Sequence, residues 1–442
     1  MKAAFYTLGC KVNQYETQIM EQEFRKAGFE VVDCEEEADA YIVNSCTVTG
    51  TGDRKSRQMV HRFRREHPGA VVALTGCFPQ AFPEEAAAVL EADIVLGAAD
   101  RSELLPAVLD ALDGKRVVHI TPHTPDELFE PMMAEGMLDR TRAFVKIEDG
   151  CDNRCAYCII PKARGYVRSK PIRDLERELE LLSAKGYQEA VLSGINLPFY
   201  GKDLGLGLAD AVALACEIMP RVRLSSLEPE LLTREDIERF AGMESFCPSF
   251  HLSLQSGCDR TLAAMRRRYN TDLYRSVVAN IRNVFENPAL TTDLMVGFPG
   301  ETEEDFEESL AFIREIAFAK VHVFAYSRRP GTDAAVMPGQ ISNAEKARRS
   351  GRISEAASET RAAFLRNMVG RAEAVLIESE IRNGLMQGYT KNYVPVTIPA
   401  VKNLLCTVQD ILITGTDGDI CTGIIKNPPV GYQPGGMFGE EE

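Results

Sequence analysis

The sequence predicts an α/β protein with three parts: an N-terminal domain built on a parallel sheet, a partial TIM-like (β/α)6 barrel and a small C-terminal all-β domain. Two series of short apolar runs alternate with helical patterns, which is typical of parallel sheets covered by helices. After residue 370 the apolar runs follow one another closely and are separated by Gly, Asn and Asp, as in a small barrel or sandwich. A length of 442 residues suits about three domains.

The first series predicts an N-terminal α/β domain over residues 1–121. Apolar runs that fit buried strands lie at Ala3–Leu8, Tyr41–Asn44, Ala70–Thr75, Ile94–Leu96 and Val117–Ile120. Helical patterns lie between them, at Gln14–Ala27, Arg54–Glu66, Pro83–Leu90 and Arg101–Leu112. The segment 122–142 is rich in Pro, Met and acids and has no clear period, so we expect a linker there.

The second series predicts the barrel, over residues 143–369. Strands are expected at Ala143–Glu148, Ala190–Ser193, Arg223–Ser226, Phe250–Leu254, Thr291–Val296 and Lys320–Ala325. Helices are expected at Leu175–Lys185, Leu208–Ile218, Leu273–Phe285, Glu303–Ile316 and, as one longer helix, Ala344–Val369. Repeated βα-like units of this kind suit a barrel or partial barrel better than a small open sheet.

The C-terminal domain is expected over residues 370–442. Its strand-like runs lie at Ala372–Glu378, Leu385–Thr390, Val394–Ile398, Leu404–Ile413 and Ile420–Ile425. Turn residues separate these runs, so we expect a small all-β fold without helices between the strands.

Composition and charge exclude several classes of protein. Hydrophobic residues are 45% and charged residues 26%, which is ordinary for a globular protein. The formal net charge of −15 argues against a polycation that coats nucleic acid. We find no run of 18 apolar residues and no cleavable leader, so we expect a cytoplasmic protein without a membrane partner. In a reducing compartment its 12 cysteines are available as metal ligands rather than disulfides.

The strongest indication of chemistry is the segment Cys151-Asp-Asn-Arg-Cys155-Ala-Tyr-Cys158, directly after the first predicted barrel strand. A loop of this length can wrap three thiolates around one corner of an iron–sulfur cube. A 4Fe–4S cluster normally takes four cysteines, so this loop leaves one iron open for an external ligand. The alternative is zinc, which prefers four ligands and usually shows two separated CxxC pairs. The sequence has neither a second pair nor a His close to this loop.

A second set consists of Cys10, Cys46 and Cys77, each at the carboxyl end of a predicted buried strand. In an open parallel sheet these ends face one crevice, where ligands bind, so the three thiols are able to converge. Gly9 and Gly76 would allow tight turns beside them. The alternative is three unrelated buried thiols. The other cysteines show no ligand spacing and are expected to be buried or incidental: Cys34, Cys216, Cys247, Cys258, Cys406 and Cys421.

Three motif groups, spread over nearly the whole chain, resemble the radical S-adenosylmethionine (SAM) methylthiotransferases. They are Thr7-Leu-Gly-Cys10-Lys-Val-Asn-Gln-Tyr-Glu-Thr17, the cysteine loop with its continuation Ile159-Ile-Pro161-Lys-Ala-Arg164-Gly165, and Gly297-Phe-Pro-Gly300-Glu-Thr-Glu-Glu304. In addition, the segment Gly388-Tyr-Thr-Lys-Asn-Tyr393-Val-Pro-Val396 resembles the family's TRAM domain, a small β module that binds RNA.

The resemblance implies two 4Fe–4S clusters and SAM as cofactors. The implied ligands are Cys151, Cys155 and Cys158 for the radical cluster, and Cys10, Cys46 and Cys77 for an auxiliary cluster. In the family, SAM binds the open iron, and its reductive cleavage yields a 5′-deoxyadenosyl radical. The implied reaction transfers a methylthio group to carbon 2 of an adenine, with one SAM supplying the methyl group and a second the radical. It also requires an electron donor and a sulfur source, which the sequence does not identify.

The first motif separates branches of the family. Gly9-Cys10-Lys11-Val12-Asn13 resembles the branch that acts on N6-threonylcarbamoyladenosine at position 37 of tRNA, as do Ser225-Ser-Leu-Glu228-Pro229 and Phe324-Ala-Tyr-Ser327. Other branches usually carry Gln-Met or Pro-Lys between the Cys and the Asn. The alternatives are the same chemistry on isopentenyladenosine or on a ribosomal protein, or a non-catalytic iron–sulfur protein that binds RNA.

Several polar residues follow barrel strands and are candidates for contact with SAM or substrate. Glu228, Ser253 and Gln255 come at carboxyl ends of predicted strands, where side chains point into the site of such barrels. Caps of turns are the alternative role for these side chains. Gly297 lies in a strand-to-helix turn, where it would let the backbone approach the adenine part of SAM.

Candidates for RNA contact come from the distribution of charge. Lys162, Arg164 and Arg168 lie in a basic run just after the cysteine loop, which suits selective contact with phosphates. A solvated face is the common alternative for such a run. In the C-terminal domain, Tyr393 is a candidate for stacking on bases. That domain nevertheless carries more acids than bases, which is unusual for a module that binds RNA.

Overall fold

The computed structural model describes residues 1–136, 141–381 and 384–426, and its sheets confirm the predicted fold class. The N-terminal sheet contains β1 (Lys2–Thr7), β2 (Glu30–Val32), β3 (Ala40–Ser45), β4 (Val71–Gly76), β5 (Ile94–Leu96) and β6 (Val117–His119). Its helices are α1 (Lys11–Lys26), α2 (Gly50–Glu66), α3 (Cys77–Ala81), α4 (Pro83–Ala87) and α5 (Leu104–Leu112). All strands are parallel, in the order β2–β1–β3–β4–β5–β6.

Helices cover both faces of this sheet. Ile42 of β3 packs into the apolar cluster on one face, and Tyr41 and Val43 pack into the cluster on the other. Strands β3 and β4 are therefore buried along their whole length, which explains why they stand out as continuous apolar runs. Strands β1, β3 and β4 are neighbours, so their carboxyl ends lie side by side at one edge of the sheet.

The barrel follows, with additional short elements around the cysteine loop. Its strands are β7 (Arg142–Lys146), β8 (Glu148–Asp149), β9 (Arg168–Ser169), β10 (Glu189–Ser193), β11 (Val222–Leu224), β12 (Ser226–Leu227), β13 (Ser249–Leu252), β14 (Ala289–Val296) and β15 (Lys320–Ala325). Its helices are α6 (Ile160–Arg164), α7 (Ile172–Ala184), α8 (Leu208–Ile218), α9 (Arg234–Ala241), α10 (Asp259–Ala264), α11 (Thr271–Val284) and α12 (Glu303–Ile316).

Two parallel sheets make up the barrel wall, in the orders β11–β10–β7 and β12–β13–β14–β15. Strands β11 and β12 are separated by Ser225 alone, so the wall continues from one sheet into the other. Strands β7 and β15 are the two free edges, which makes this a partial barrel. Its core is one large apolar cluster between the wall and the helices.

A long helix connects the barrel to the C-terminal domain. Helix α13 (Asn343–Arg366) lies against β15 and leads into β16 (Ala372–Ile381), β17 (Leu385–Tyr389), β18 (Pro395–Pro399), β19 (Val408–Thr416) and β20 (Cys421–Ile425). These strands form a closed barrel in the order β16–β17–β18–β20–β19. Parts of the predicted linker (137–140) and of the predicted C-terminal domain (382–383 and 427–442) lie outside the described residues.

No helix among the described residues has the length and apolar character needed to cross a bilayer. The domain boundaries given above remain predictions. Four helices, α3, α6, α9 and α10, have no counterpart among the predicted elements, because all four are short.

Buried arginines attach the closed C-terminal barrel to the partial barrel. They lie at the amino-terminal side of strands in the wall of the partial barrel. Arg221 donates hydrogen bonds to the carbonyl oxygens of Ala374 (3.2 Å) and Tyr389 (3.1 Å). Arg223 donates to the carbonyl oxygen of Lys391 (2.9 Å). Both arginines pair with the buried carboxylate of Glu189, at 2.9 Å and 2.8 Å. One carboxylate therefore orients both guanidinium groups toward the C-terminal domain.

Replacing Glu189 with Gln is expected to destabilise the protein in a pH-dependent manner. Burial raises the pKa of Glu189, but Arg223 and Arg221 outweigh this effect and lower the pKa from 4.5 to about 2. Because removal of one partner of a buried ion pair costs ~3–5 kcal/mol, the variant should lose stability of that order above pH 4.5. The difference in the free energy of unfolding between the wild type and the variant should decrease as the pH falls from 4.5 toward 2, because the wild-type carboxylate is then also neutralised.

Urea denaturation of both proteins across this pH range measures the difference. Glu66→Gln is the matched control, because Glu66 forms solvent-exposed ion pairs with Arg62 and Arg65 and its replacement should change the stability little. A stability difference for Glu189→Gln that does not change with pH would contradict the assigned pKa.

Candidate iron–sulfur and substrate site

Three adjacent strand ends bring together the first cysteine set. Cys10 follows β1 and caps α1, Cys46 follows β3, and Cys77 begins α3 directly after β4. Gly9 has a φ of +114°, and a Cβ there would lie 3.0 Å from the Cβ of Cys46. Gly76, at a φ of +96°, would place a Cβ 2.5 Å from the amide oxygen of Asn44. We call Cys10, Cys46 and Cys77 the auxiliary set.

Asn13 and Arg164 hold the centre of the auxiliary set. The Asn13 amide nitrogen donates to the carbonyl oxygens of Leu8 (2.9 Å) and Ser45 (3.0 Å), which fixes the side chain between two strand ends. Its oxygen accepts a hydrogen bond from Arg164 Nη2 at 2.8 Å and one from the Cys10 thiol at 3.5 Å. Arg164 Nε lies 3.2 Å from the Sγ of Cys77.

Arg164 and Arg168 do not face solvent, so their predicted role in RNA contact is wrong. Arg164 is 1% exposed and Arg168 is 5% exposed. Arg164 forms a two-pronged ion pair with Glu16, and Arg168 lies 3.4 Å from Asp149 and 3.4 Å from Glu127. Acids from other elements pair with these two arginines, whose charges are buried.

Glu16 is the common anion of this interface. Its carboxylate accepts hydrogen bonds from Arg164 and from Lys146 Nζ (2.8 Å), and it forms an ion pair with Arg101, whose Nη1 lies 3.2 Å away. Burial alone raises the pKa of Glu16, but these three cations outweigh it and lower the pKa to about 2. The carboxylate is therefore ionised at neutral pH and holds Arg164 in place beside Cys77.

The second cysteine set lies in the loop between β8 and α6, at the carboxyl end of the first barrel strand. Gly150, at a φ of +83°, starts this loop, and a Cβ there would overlap the carbonyl oxygen of Tyr166. The loop is fastened by backbone hydrogen bonds from Cys151 to Gly165 (3.1 Å) and from Ala156 to Met265 (2.9 Å). We call Cys151, Cys155 and Cys158 the radical set.

Two side chains from the barrel reach the sulfurs of the radical set. Asn196 Nδ2 lies 3.8 Å from Cys151 Sγ, and Arg267 Nη1 lies 3.3 Å from Cys155 Sγ. Arg267 is oriented by an ion pair with Glu228 and by the ring of Tyr269, 4.9 Å from its guanidinium carbon. Glu228 therefore adjoins the radical set through Arg267, and its contact with SAM or substrate stays a prediction.

The two cysteine sets meet where α3 packs against α6. Cys77 and Ala81 of the N-terminal sheet domain form one apolar cluster with Ile159, which directly follows Cys158, and with Ala163 of α6. Arg164, the last residue of α6, reaches the Cys77 sulfur from the same segment. The fold therefore presents both sets to a single region between the sheet and the barrel.

Burial and local charge act in opposite directions on these thiols. Burial raises the pKa of Cys77 and Cys158 to about 12, and that of Cys151 to about 11. Arg164 opposes the increase at Cys77, and Arg267 opposes it at Cys158. Metal binding requires the thiolate form and releases protons, so one buried arginine beside each set favours the ligand form.

Each cysteine set supplies the number of thiolates that a 4Fe–4S cluster with one open iron requires. Within residues 1–136, 141–381 and 384–426, no three Cys, His, Asp or Glu side chains are grouped closely enough to hold a single metal ion. Each thiolate of a 4Fe–4S cluster binds a different iron atom, so the ligands of a cluster stand farther apart than the ligands of one ion.

Buried polar atoms without partners surround the radical set and suit a polar cofactor. Among the described residues they include Glu148 Oε1, Asn153 Oδ1, Asn196 Oδ1 and Ser225 Oγ, which follow the first barrel strands. Burial raises the pKa of Glu148 to about 8. Because buried polar groups are normally hydrogen-bonded, these atoms indicate a ligand with donors and acceptors such as the amino acid and ribose parts of SAM.

The remaining candidates for SAM contact, Ser253, Gln255 and Gly297, differ in burial and in backbone conformation. Ser253 is buried, and its carbonyl oxygen accepts from the Tyr269 hydroxyl at 2.7 Å. Gln255 is half-buried with a φ of +63°, a left-handed conformation that is uncommon for a residue with a side chain. At Gly297, with a φ of +74°, a Cβ would overlap Lys346, so packing within the protein already requires glycine there.

The two other candidates for RNA contact, Lys162 and Tyr393, differ in their exposure to solvent. Lys162 is exposed. Tyr393 instead stacks on Tyr389 with ring centroids 4.7 Å apart, and Arg142 and Arg223 lie over its ring at 4.9 Å and 4.6 Å. This ring therefore contributes to the interface between the barrel and the C-terminal domain, and its stacking on bases stays a prediction.

Comparisons with known proteins agree with this geometry. Residues 145–313 match the Radical SAM superfamily, and residues 2–97 match the Uncharacterized protein family UPF0004. The chain is similar in fold to the radical S-adenosylmethionine methyltransferase TsrM from Kitasatospora setae, with a TM-score of 0.58 and 13% identity over 76% of this chain and 77% of that one.

Two curated relatives match along most of their length. A threonylcarbamoyladenosine tRNA methylthiotransferase MtaB from Thermotoga maritima is 38% identical over 393 residues, 88% of this chain and 89% of the relative. A tRNA-2-methylthio-N(6)-dimethylallyladenosine synthase from Pelotomaculum thermopropionicum is 29% identical over 438 residues, 96% and 98% of the two chains. The chain therefore belongs to the radical SAM methylthiotransferases and is a tRNA-modifying enzyme that uses SAM and a 4Fe–4S cluster.

Proposed function

We propose that the protein transfers a methylthio group to carbon 2 of N6-threonylcarbamoyladenosine at position 37 of tRNA, using two SAM molecules and two 4Fe–4S clusters. The observation that carries this proposal is the packing of α3, which begins at Cys77, against α6, which follows the radical loop. Methylthio transfer needs a place where sulfur is methylated and a place where carbon 2 is activated. Clusters held by the two cysteine sets would supply both.

The residues divide into two groups according to the cofactor they hold. Cys10, Cys46 and Cys77 hold the auxiliary cluster, and Cys151, Cys155 and Cys158 hold the radical cluster. When bound at the radical set, the cluster and SAM supply the radical that removes the hydrogen atom from carbon 2. Glu228 positions Arg267 beside Cys155, and the unpaired atoms of Glu148 and Asn196 bind the polar parts of SAM. An external electron donor and a sulfur source complete the reaction.

Lys11 supports the choice of threonylcarbamoyladenosine as the substrate nucleoside. It begins α1 directly after Cys10 and is half-buried. Burial lowers the pKa of Lys11 to about 8, and the charges of Arg142 and Arg223 add to this effect, so two further cations act on its ammonium group. The threonyl group carries a free carboxylate that such a positive environment attracts, whereas an isopentenyl group is uncharged.

Replacing Lys11 with Gln is expected to lower kcat/KM for tRNA carrying threonylcarbamoyladenosine by about 10- to 100-fold. This range corresponds to the ~1.5–3 kcal/mol that a hydrogen bond to a charged group contributes. Lys11→Arg keeps a cation and should retain most of the activity. Single-turnover assays that quantify the methylthiolated nucleoside measure the effect. Equal activity of the Gln and Arg variants would contradict a carboxylate contact at Lys11.

Exposed cations near the auxiliary set, rather than the buried arginines, are expected to bind the tRNA backbone. Arg54 and Lys55 project from the first turns of α2, next to Cys46, and Lys162 lies beyond the radical loop. Replacing all three with Ala should reduce the log–log salt dependence of tRNA binding by up to about three units, one for each phosphate contact.

Filter binding or fluorescence anisotropy across a salt series measures this slope. The matched control replaces Arg348 and Arg352, which are equally basic but are paired with Glu303 and Glu307 on α12. The control slope should remain that of the wild type. A slope that falls in the control but not in the triple variant would place the tRNA on the α13 side of the molecule.

Mass spectrometry of tRNA nucleosides from cells with and without the gene tests the proposed function as a whole. We expect 2-methylthio-N6-threonylcarbamoyladenosine to disappear on deletion and to return with the wild-type gene. Loss of a methylthiolated isopentenyladenosine instead would assign the other nucleoside. If all methylthiolated nucleosides persist and the purified protein releases 5′-deoxyadenosine, the substrate is not tRNA adenosine. Without such release, the protein is a non-catalytic iron–sulfur RNA-binding protein.

A further inference from the structure

We propose that Arg164 is a positioning residue that sets the reduction potential of the auxiliary cluster through a hydrogen bond to Cys77. This inference rests on the proposed function, in which Cys77 is a cluster ligand. The radical loop and Arg164 belong to one continuous segment, because α6 begins after Cys158 and ends at Arg164. The barrel thereby extends one cation into the auxiliary set of the neighbouring domain.

The geometry around Arg164 leaves its side chain little freedom. Its Nε lies 3.2 Å from Cys77 Sγ, and its Nη2 lies 2.8 Å from Asn13 Oδ1. Glu16 accepts from both terminal nitrogens of the same guanidinium group, with 3.0 Å between Nη2 and Oε2. All three nitrogens of the planar guanidinium group therefore have fixed partners along its edge, and the pair with Glu16 is bidentate. An arginine that is 1% exposed cannot turn to solvent instead.

The acids around Arg164 only partly compensate its positive charge at the Cys77 sulfur. Glu16 also pairs with Arg101 and Lys146, so its single negative charge is shared among three buried cations. Asp149 lies 3.5 Å from Arg164 and is shared in the same way with Lys146 and Arg168. The cationic character of Arg164 is therefore only partly cancelled at the Cys77 sulfur.

A hydrogen bond and a positive charge at a thiolate ligand favour the reduced cluster, which carries one more negative charge. Hydrogen bonds to the sulfurs and net charge are among the factors that set iron–sulfur potentials. Removing Arg164 should therefore make the auxiliary cluster harder to reduce. Removing the compensating charge of Glu16 should make it easier to reduce. A purely structural role for the pair predicts no such opposite shifts.

The experiment isolates the auxiliary cluster in the full-length chain by replacing Cys151, Cys155 and Cys158 with Ala. In this background, electron paramagnetic resonance monitored during a redox titration gives the midpoint potential. Arg164→Gln should shift the one-electron equilibrium about tenfold against reduction, which is about 59 mV. Glu16→Gln should shift it in the opposite direction. Arg164→Lys keeps the charge but not the fork and should give a smaller shift than Arg164→Gln.

Arg168→Gln is the matched control, because Arg168 is also a buried arginine on the same segment but pairs with acids and does not contact a sulfur. A shift as large for Arg168→Gln as for Arg164→Gln would overturn the proposal, since net charge alone would then explain both. Unchanged potentials in all Arg164 and Glu16 variants would overturn it as well.

A double variant keeps the test valid if Arg164→Gln does not fold. Arg164→Gln combined with Glu16→Gln removes both charges of the pair, and its potential should be lower than that of Glu16→Gln alone. The two hypotheses fail in different ways. If the background protein binds no iron after reconstitution, the auxiliary cluster itself is refuted. If it binds a cluster whose potential does not depend on Arg164, only the present inference is refuted.

Discussion

Replacing any one of Cys151, Cys155 or Cys158 with Ala is expected to abolish reductive cleavage of SAM. Two remaining thiolates cannot hold a 4Fe–4S cluster that leaves one iron open for SAM, because three of the four irons need a protein ligand. The position of the loop strengthens this expectation. Backbone hydrogen bonds of Cys151 and Ala156 fasten it to the neighbouring elements, which restricts rearrangement of the loop around a missing ligand.

The measurement is the yield of 5′-deoxyadenosine from the reconstituted, reduced variant supplied with SAM. Cys216→Ala is the matched control, since Cys216 lies on α8 among the apolar residues that pack against the barrel core. This control should retain the wild-type yield. Normal cleavage by any of the three loop variants would remove that cysteine from the radical set.

Replacing Cys10, Cys46 and Cys77 together is expected to abolish methylthio transfer while leaving SAM cleavage intact. These residues lie at the strand ends of the N-terminal sheet, and the radical set lies in the barrel, which has its own core. The variant should keep about half of the wild-type iron, corresponding to one cluster of two. It should form 5′-deoxyadenosine but no methylthiolated nucleoside, because the sulfur to be transferred would have no site.

The competing interpretation treats the three residues as packing thiols. Under that interpretation the variant keeps its full iron content and forms product in proportion to the folded protein. Iron analysis combined with assays of both products from one preparation separates the two interpretations. Methylthiolation by a folded triple variant that holds a single cluster would end the hypothesis of an auxiliary cluster.

The arrangement of the cysteines can be predicted from the sequence because it depends on local features. Each auxiliary cysteine follows a continuous apolar run, and such runs are the central strands of a parallel sheet covered on both faces. Strands β1, β3 and β4 are neighbours, so the thiols at their ends had to come close. The radical loop is a single segment whose spacing is visible directly. Strand β2 was missed, since a three-residue edge strand with one charged residue leaves no apolar run.

The roles of the buried cations cannot be predicted from the sequence, because their partners are distant in the chain. Arg164 and Glu16 are 148 residues apart, and a basic run looks the same in the sequence whether it faces solvent or acids of another domain. The contacts of Tyr393 are hidden from the sequence for the same reason, since Arg142 and Arg223 come from barrel strands. One feature of the sequence pointed toward burial: Glu16 interrupts the otherwise uncharged first half of the α1 pattern after Lys11.

The way in which the C-terminal barrel is docked has a consequence for how that module can evolve. Arg221 and Arg223 bind carbonyl oxygens of the main chain at Ala374, Tyr389 and Lys391, and every amino acid offers such an oxygen. Mutations at these three positions can therefore alter the side chains without loss of the anchoring hydrogen bonds. The outer surface of the module is free to drift in charge while its attachment persists, so an acidic C-terminal barrel is compatible with an unchanged catalytic body.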